Sequence, residues 1–315
     1  MTAPAIARYD LDPAGVRRIT AEFLAEHAGN GRFVTAVVGP DSDLAAVGRA
    51  LERQVFEESF GNDAAVMAAE YGPYEAGSLF FVVIDRRRGV PAGVARMIES
   101  RGAGAKTVDD APRHIGVDVA TILAAHGMAG EKVWDCATLA VLPQYRGGRS
   151  SLLVSTMIYR TFLVMGRRHG VRHAVSMLDR GAYRNLLLIG VPMRTLADSG
   201  PFEYLGSAEN RAVHMDFPAI EATVREQAAR MRRAARPGAA TLRRGGLRKL
   251  LTRRVAAGVS LRIGTGRDVD EHIVVVPSRQ GGVPPRPHRM TPARRVCPAG
   301  GAGTSAAATR AVDSR

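Results

Sequence analysis

Cysteine is scarce in this chain of 315 residues: Cys136 and Cys297 are the only two, far apart and without paired spacing. That excludes a disulfide framework and a cysteine zinc site, and makes a reducing cytoplasm the expected compartment. Aromatic residues make up only 5% of the chain, with a single tryptophan, Trp134, so base stacking is not its expected principal business. Long apolar runs are missing as well. The most apolar stretch, Leu152 to Met165, is shorter than the ~20 residues a membrane span needs, and it carries Arg160. Met1 to Pro13 lacks a basic segment leading into an apolar one, so no secretory signal is expected.

Acidic residues are short in one place only. The chain has 44 Lys+Arg against 30 Asp+Glu, a net charge of +14, yet residues 1 to 229 hold 25 basic and 26 acidic side chains while 230 to 315 hold 19 and 4. The basic excess therefore belongs to the C-terminal segment. Taken whole, the charge would suggest a nucleic-acid binder; once located, it restricts that reading to the tail. Hydrophobic residues at 46% are ample for a buried core.

The pattern along the chain alternates. Val16 to His27 is a predicted helix, and Phe33 to Val38 a short strand closed by Gly39-Pro40. Leu44, Val47, Leu51, Val55 and Phe56 keep one apolar face on a helix that Gly61 stops. Ser78 to Asp85 and Val90 to Glu99 are strands joined by Arg86-Arg87-Arg88-Gly89, a hairpin turn. Then come a helix at Val117 to His126, a long strand from Glu131 to Leu142, a helix from Ser150 or Ser151 to about His169, and a strand at Val171 to Leu178. Tyr183 to Ile189 is a further helix, and strands at Met193 to Leu196, Phe202 to Leu205 and Arg211 to Phe217 lead to a charged helix from Pro218 to about Arg236. That order suits a mixed α/β sheet. Beyond residue 236 the composition turns to Arg, Gly, Pro and Ala, predicting a single domain over 1 to 236 and a disordered tail over 237 to 315.

The chemically informative stretch runs from Val141 to Leu153: strand end, Gly147-Gly148 turn, helix start. Successive N–H groups in such a turn, with the positive end of a helix behind them, make an anion cradle suited to a pyrophosphate. Val141-Leu-Pro-Gln-Tyr-Arg-Gly147, in this strand and helix context, resembles the GCN5-related N-acetyltransferase (GNAT) superfamily over roughly Phe33 to Phe217. The resemblance implies a mixed, mostly antiparallel sheet flanked by helices. It implies acetyl-CoA or acyl-CoA as co-substrate, bound by Val141, Leu142, Arg146, Gly147, Gly148, Arg149, Ser150 and Ser151, with no metal. Arg149 and Ser151 stand where the superfamily usually has small residues. A second, longer similarity is to the acyl-homoserine-lactone (autoinducer) synthases. It rests on Leu51-Glu-Arg-Gln-Val-Phe-Glu-Glu58, Glu70-Tyr-Gly-Pro-Tyr74, Gly93-Val-Ala-Arg96 and Trp134-Asp135, and breaks at Thr138-Leu139, where that family has Ser-Arg.

Acyl transfer from a thioester to an amine needs a base for the protonated amine and donors for the tetrahedral oxyanion. Asp135, in the middle of an apolar strand, is the candidate base, its bland alternative being a structural pair with Arg96. Glu131 is the substitute base. The resemblance gives the oxyanion to an N–H near Val141 or Leu142. Its usual acid position is Leu186 here, leaving Tyr183, almost one helical turn earlier, as the candidate acid. His169 and His173 have i, i+4 spacing, but Gly170 breaks the helix that would let them share a metal, and Gly264-Thr-Gly266 lacks the context of a dinucleotide loop. The sequence thus points to transfer of an acetyl or longer acyl group from acyl-CoA or an acyl carrier protein to a small amine or amino acid, acetyl being the expected group. The rivals are a non-catalytic GNAT-fold binding protein and nucleic-acid binding through the tail.

Overall fold

The computed structural model describes residues 3–146, 148–188, 190–234 and 272–277, without the side chains of 3–4, 148–152, 188, 228 and 230–234. Two helices, α1 (Ala3–Ala7) and α2 (Pro13–Glu26), precede strand β1 (Phe33–Val38) and helices α3 (Asp43–Phe60) and α4 (Ala64–Tyr71). The hairpin β2 (Ser78–Asp85) and β3 (Val90–Ser100) follows, then α5 (Lys106–Ile115), α6 (Val119–His126), β4 (Val133–Val141), α7 (Gly148–His169) and β5 (His173–Leu178). The rest comprises α8 (Arg180–Leu188), β6 (Arg194–Thr195), β7 (Phe202–Tyr204), β8 (Ser207–Asp216), α9 (Phe217–Ala234) and β9 (Ile273–Val275). No described helix is long and apolar enough to cross a membrane.

The strands form one sheet in the order β6-β8-β5-β4-β3-β2-β1-β9, with β7 paired to β8. Antiparallel pairs dominate; among the described residues only β4–β5 and β1–β9 run parallel. The expected mixed, mostly antiparallel sheet flanked by helices is therefore present. Helices α3 and α7 cover opposite faces. A Cβ at Gly48 of α3 would press on the side chains of Phe80 and Val94, whereas one at Gly93, next to Val94 and pointing the other way, would meet Val154 of α7 at 2.8 Å. Gly93 is thus what lets α7 lie close on the sheet. On the α7 side, Trp134, Phe81 and Phe162 pack in tilted pairs with centroids 5.9 Å apart. The α3 side buries Leu51, Val55, Phe80 and Val82.

Strand β4 is irregular on both of its edges. Arg96 pairs with Thr138 and Met97 with Cys136, so Ala137 is an extra residue, a β-bulge in mid-strand. On its other edge β4 pairs with β5 only over Val133, Trp134 and Asp135, and the two strands then splay apart. The hydroxyl of Ser176 donates to the carbonyl of Cys136 at 2.8 Å and closes the apex of the splay.

The expected domain limit at residue 236 needs one correction. Ile273–Val275 adds a parallel strand beside β1, fixed by Thr35 N–H to the His272 carbonyl at 2.7 Å and Val276 N–H to the Val37 carbonyl at 3.0 Å. A short Ile-Val-Val run satisfies an edge that composition alone, Arg-rich on either side, did not reveal. The remainder of 237 to 315, with Gly264-Thr-Gly266 and Cys297, lies outside the described residues.

Candidate active site

At the β4–β5 splay an apolar cavity of about 210 Å³ passes through the sheet. Val55, Phe56 and Phe60 of α3 line it from one face, and Ile158, Tyr159, Phe162 and Leu163 of α7, with Ile220 and Val224 of α9, from the other. Between them lie the splayed segments, Cys136 to Leu139 and Ser176 to Asp179. Among the described residues, the lining contains no basic side chain, and its one carboxylate is Asp179, which accepts the Ala182 N–H at the start of α8. Burial pushes the Cys136 thiol well up and the Tyr159 phenol to about 12, so both are neutral in the wall.

Beyond Asp135 the outer edge of β4 is not paired with β5, and backbone donors on it face away from β3. Leu142 N–H donates to the Ala92 carbonyl of β3 at 3.1 Å, and successive N–H groups of a strand alternate sides. Leu139 and Val141 therefore direct theirs away from β3, and of the two Leu139 lines the cavity. Of the two residues expected to supply an oxyanion donor, Leu142 has its N–H bonded to β3, whereas Val141 turns its N–H to the other side of the strand. Arg146 folds back, its Nε donating to the Val141 carbonyl at 2.6 Å. Helix α7 starts at Gly148. Gly147 itself lies outside the described residues, as do the side chains of Arg149, Ser150 and Ser151.

Behind Thr138, on the α3 side, sits a buried charge network. Arg96 bonds Glu52 through Nε at 3.2 Å and Nη2 at 2.6 Å, Glu75 through Nη1 at 3.1 Å, and the Tyr9 hydroxyl at 2.8 Å. Arg49 completes it through two bonds to Glu75, at 2.9 and 2.5 Å. Two cations face two carboxylates, and Thr138, which lines the cavity, donates its hydroxyl to Glu52 at 2.5 Å. Burial works against the Arg96 charge, but Glu52 and its neighbours outweigh it and hold the guanidinium firmly protonated.

Asp135 does not belong to this network. It is fully buried, it stands three residues and a bulge away from Thr138, and its carboxylate receives the backbone N–H and the hydroxyl of Thr107 at the start of α5. Arg96 is not its partner. Burial raises its pKa to about 7 against the pull of the Thr107 bonds. It is absent from the cavity lining, as are Glu131, exposed ahead of β4, and Tyr183, whose ring lies under the Arg211 guanidinium at 5.2 Å. The three residues expected as base, substitute and acid are thus not brought together. His169 and His173 diverge as expected, the first to Glu99 at 2.7 Å and the second to His214 at 3.0 Å.

Sequence reasoning passed over a second polar cluster. Lys106 of α5, nearly buried, donates to Glu70 at 2.7 Å, to the Tyr204 hydroxyl at 2.5 Å and to Asp110. Tyr71 and Tyr204 stand between this cluster and the cavity, which both line. Burial opposes the Lys106 charge, yet Tyr71, Asp110 and Glu70 keep its pKa above the usual lysine value. One signal was available: the chain has only three lysines among its 44 basic residues.

No family model and no curated protein matches the chain. Among solved structures it is similar to FeeM, an N-acyl amino acid synthase from uncultured soil microbes, at 15% identity over 61% of this chain and 94% of that one, with a TM-score of 0.47. It is also similar to the acyl-homoserine lactone synthase LasI (13% identity, 60% and 91% coverage, TM-score 0.44) and to a putative N-acetyltransferase from Lactobacillus plantarum (17%, 58% and 99%, 0.38).

Proposed function

We propose that this chain is an acyltransferase that moves an acyl group longer than acetyl from a thioester to an amine. The observation that carries this is the apolar cavity through the β4–β5 splay. Its ~210 Å³ far exceeds the ~30 Å³ share of one water molecule. A two-carbon acetyl group would leave Phe162, Leu163, Ile220 and Val224 without contacts, whereas a longer chain buries their apolar surface. Of the acetyl or longer group that the sequence left open, with acetyl expected, the cavity favours the longer.

In this reading the thioester carbonyl lies at the open edge of β4, where the N–H groups of Leu139 and Val141 face away from β3 and can receive the developing oxyanion. The acyl chain points between α7 and α9. The start of α7 at Gly148 offers its N-terminal amides to the phosphates of a coenzyme A donor, and an acyl carrier protein would present the same thioester. The attacking amine approaches from the α3 and α5 side, past Tyr71, Tyr204 and Thr138.

The test is turnover of a series of acyl-CoA thioesters, acetyl to dodecanoyl, with a panel of primary amines. kcat/KM is expected to rise at least tenfold from acetyl to a medium chain. Leu163→Trp, which fills the cavity, is expected to move the optimum to shorter chains. A flat or acetyl-favouring profile would overturn the assignment of the cavity to the acyl chain, and no transfer with any member would overturn acyl transfer itself.

A further inference from the structure

Resting on the acyl-transfer reading, we propose that Tyr204 and Glu70 form a proton relay that strips the acceptor ammonium and carries its proton from the cavity to solvent. Tyr204 lines the cavity. Its hydroxyl oxygen has one proton and two lone pairs. One lone pair is taken by Lys106 at 2.5 Å, so the proton is directed toward the carboxylates of Glu70 and Asp110, each 3.4 Å away. The second lone pair is left for a donor arriving in the cavity.

Lys106 is the positioning residue. An ammonium has three donors, and all three are occupied, by Glu70, Asp110 and Tyr204. It therefore holds the tyrosine oxygen in place without itself being able to accept a proton. Glu70 is the exit, because its side chain is 32% exposed against 12% for Asp110. The other titratable groups facing Tyr204 are Tyr71 of α4, Asp135 of β4 and His114 of α5, whose ring meets the Tyr204 ring edge-on at 5.2 Å.

The step balances without an outside reagent. One ammonium proton passes to Tyr204 Oη as the tyrosine proton passes to Glu70 Oε2, and Glu70 releases it to water, so no tyrosinate forms. The neutral amine attacks the thioester carbonyl carbon and forms the C–N bond. The C–S bond breaks, its electron pair leaves on sulfur, and the second nitrogen proton neutralises the thiolate. Burial, followed by the nearby Glu70 and Asp110 charges, holds the Tyr204 phenol far above its usual pKa. That suits a concerted exchange and disfavours an ionised tyrosine.

The experiment uses octanoyl-CoA with two nucleophiles: butylamine, protonated at neutral pH, and hydroxylamine, which is already neutral there. Tyr204→Phe is expected to lower kcat/KM for butylamine at pH 7 by roughly 10²-fold, to regain most of that loss by pH 10, and to change the enzyme-dependent rate with hydroxylamine less than threefold. Glu70→Gln, which leaves the tyrosine in place, is expected to reproduce the pattern. A deficit equal for both nucleophiles and at every pH would make Tyr204 a structural residue and overturn the relay, as would the absence of any deficit. Wild-type enzyme inactive with both nucleophiles would overturn the acyl-transfer reading and the relay with it, whereas a normal wild type beside an unimpaired Tyr204→Phe overturns the relay alone.

Discussion

Asp135, the base expected from its neighbours, has bonds that favour a structural role. A base needs access to substrate, and this group gives both oxygens to Thr107 beneath α5. Asp135→Asn is expected to change turnover less than threefold at pH 7, where loss of a general base would cost roughly 10² to 10⁴. Its signature belongs in stability. The folded pKa is raised from 3.8 to about 7, so the contribution is fully present below pH 3.8 and is lost as pH rises through 7. Melting curves at pH 5 and pH 9 should therefore show the wild type losing ground to the Asn variant at the higher pH. Glu52 is the opposite case: fully buried and paired, it leaves Arg96 short of its main counter-charge if removed. Glu52→Gln is expected to destabilise the fold by about 3 to 5 kcal/mol, read by urea denaturation.

At the scale of elements, legibility followed the location of apolar residues. Helix α3 and the β2–β3 hairpin were readable because Leu44, Val47, Leu51 and Val55 repeat on one face and because Arg86 to Gly89 punctuates two β-branched runs. Helix α5 was not readable, since much of the surface it buries is polar, with Lys106, Thr107 and Asp110 inside, and it contains Pro112. Val108 and Ala111 do keep an apolar stripe on it, short and interrupted by Pro112. The site divided the same way. Glu52, Glu70 and Arg96 fell within recognisable segments, whereas the cavity depends on where β4 and β5 stop pairing, which no local spacing encodes. Strand β9 hid for want of length. Val276→Pro removes the N–H that bonds the Val37 carbonyl, and amide exchange at Thr35 is expected to accelerate roughly 3- to 10-fold, as loss of about one hydrogen bond implies, while Val82 in the sheet centre stays protected.

For the molecule as a whole, one histidine cluster contributes acid sensitivity between pH 6.5 and 4. His173 and His214 share a 3.0 Å hydrogen bond, and the His126 ring lies 4.6 Å from that of His214. Burial first, then the neighbouring imidazoles, lowers His214 to about 4; His126 and His173 are also depressed, mainly by burial. Folding favours the neutral rings, so their stabilisation is complete above pH 6.5 and fades as pH falls toward 4. Thermal melts of His214→Gln between pH 7 and pH 4 are expected to fall less steeply than those of the wild type.

The seam between β1 and β9 joins residues more than two hundred positions apart, Thr35 with Ile273. During synthesis at about 5 to 20 residues per second, β1, β2 and β3 are complete long before β9 leaves the ribosome. For that interval Phe33 to Val38 presents an unpaired apolar edge, a template for pairing with another nascent chain. The late strand is thus a closing clasp, and its absence would be felt less in the activity of molecules that fold than in how many escape aggregation on the way.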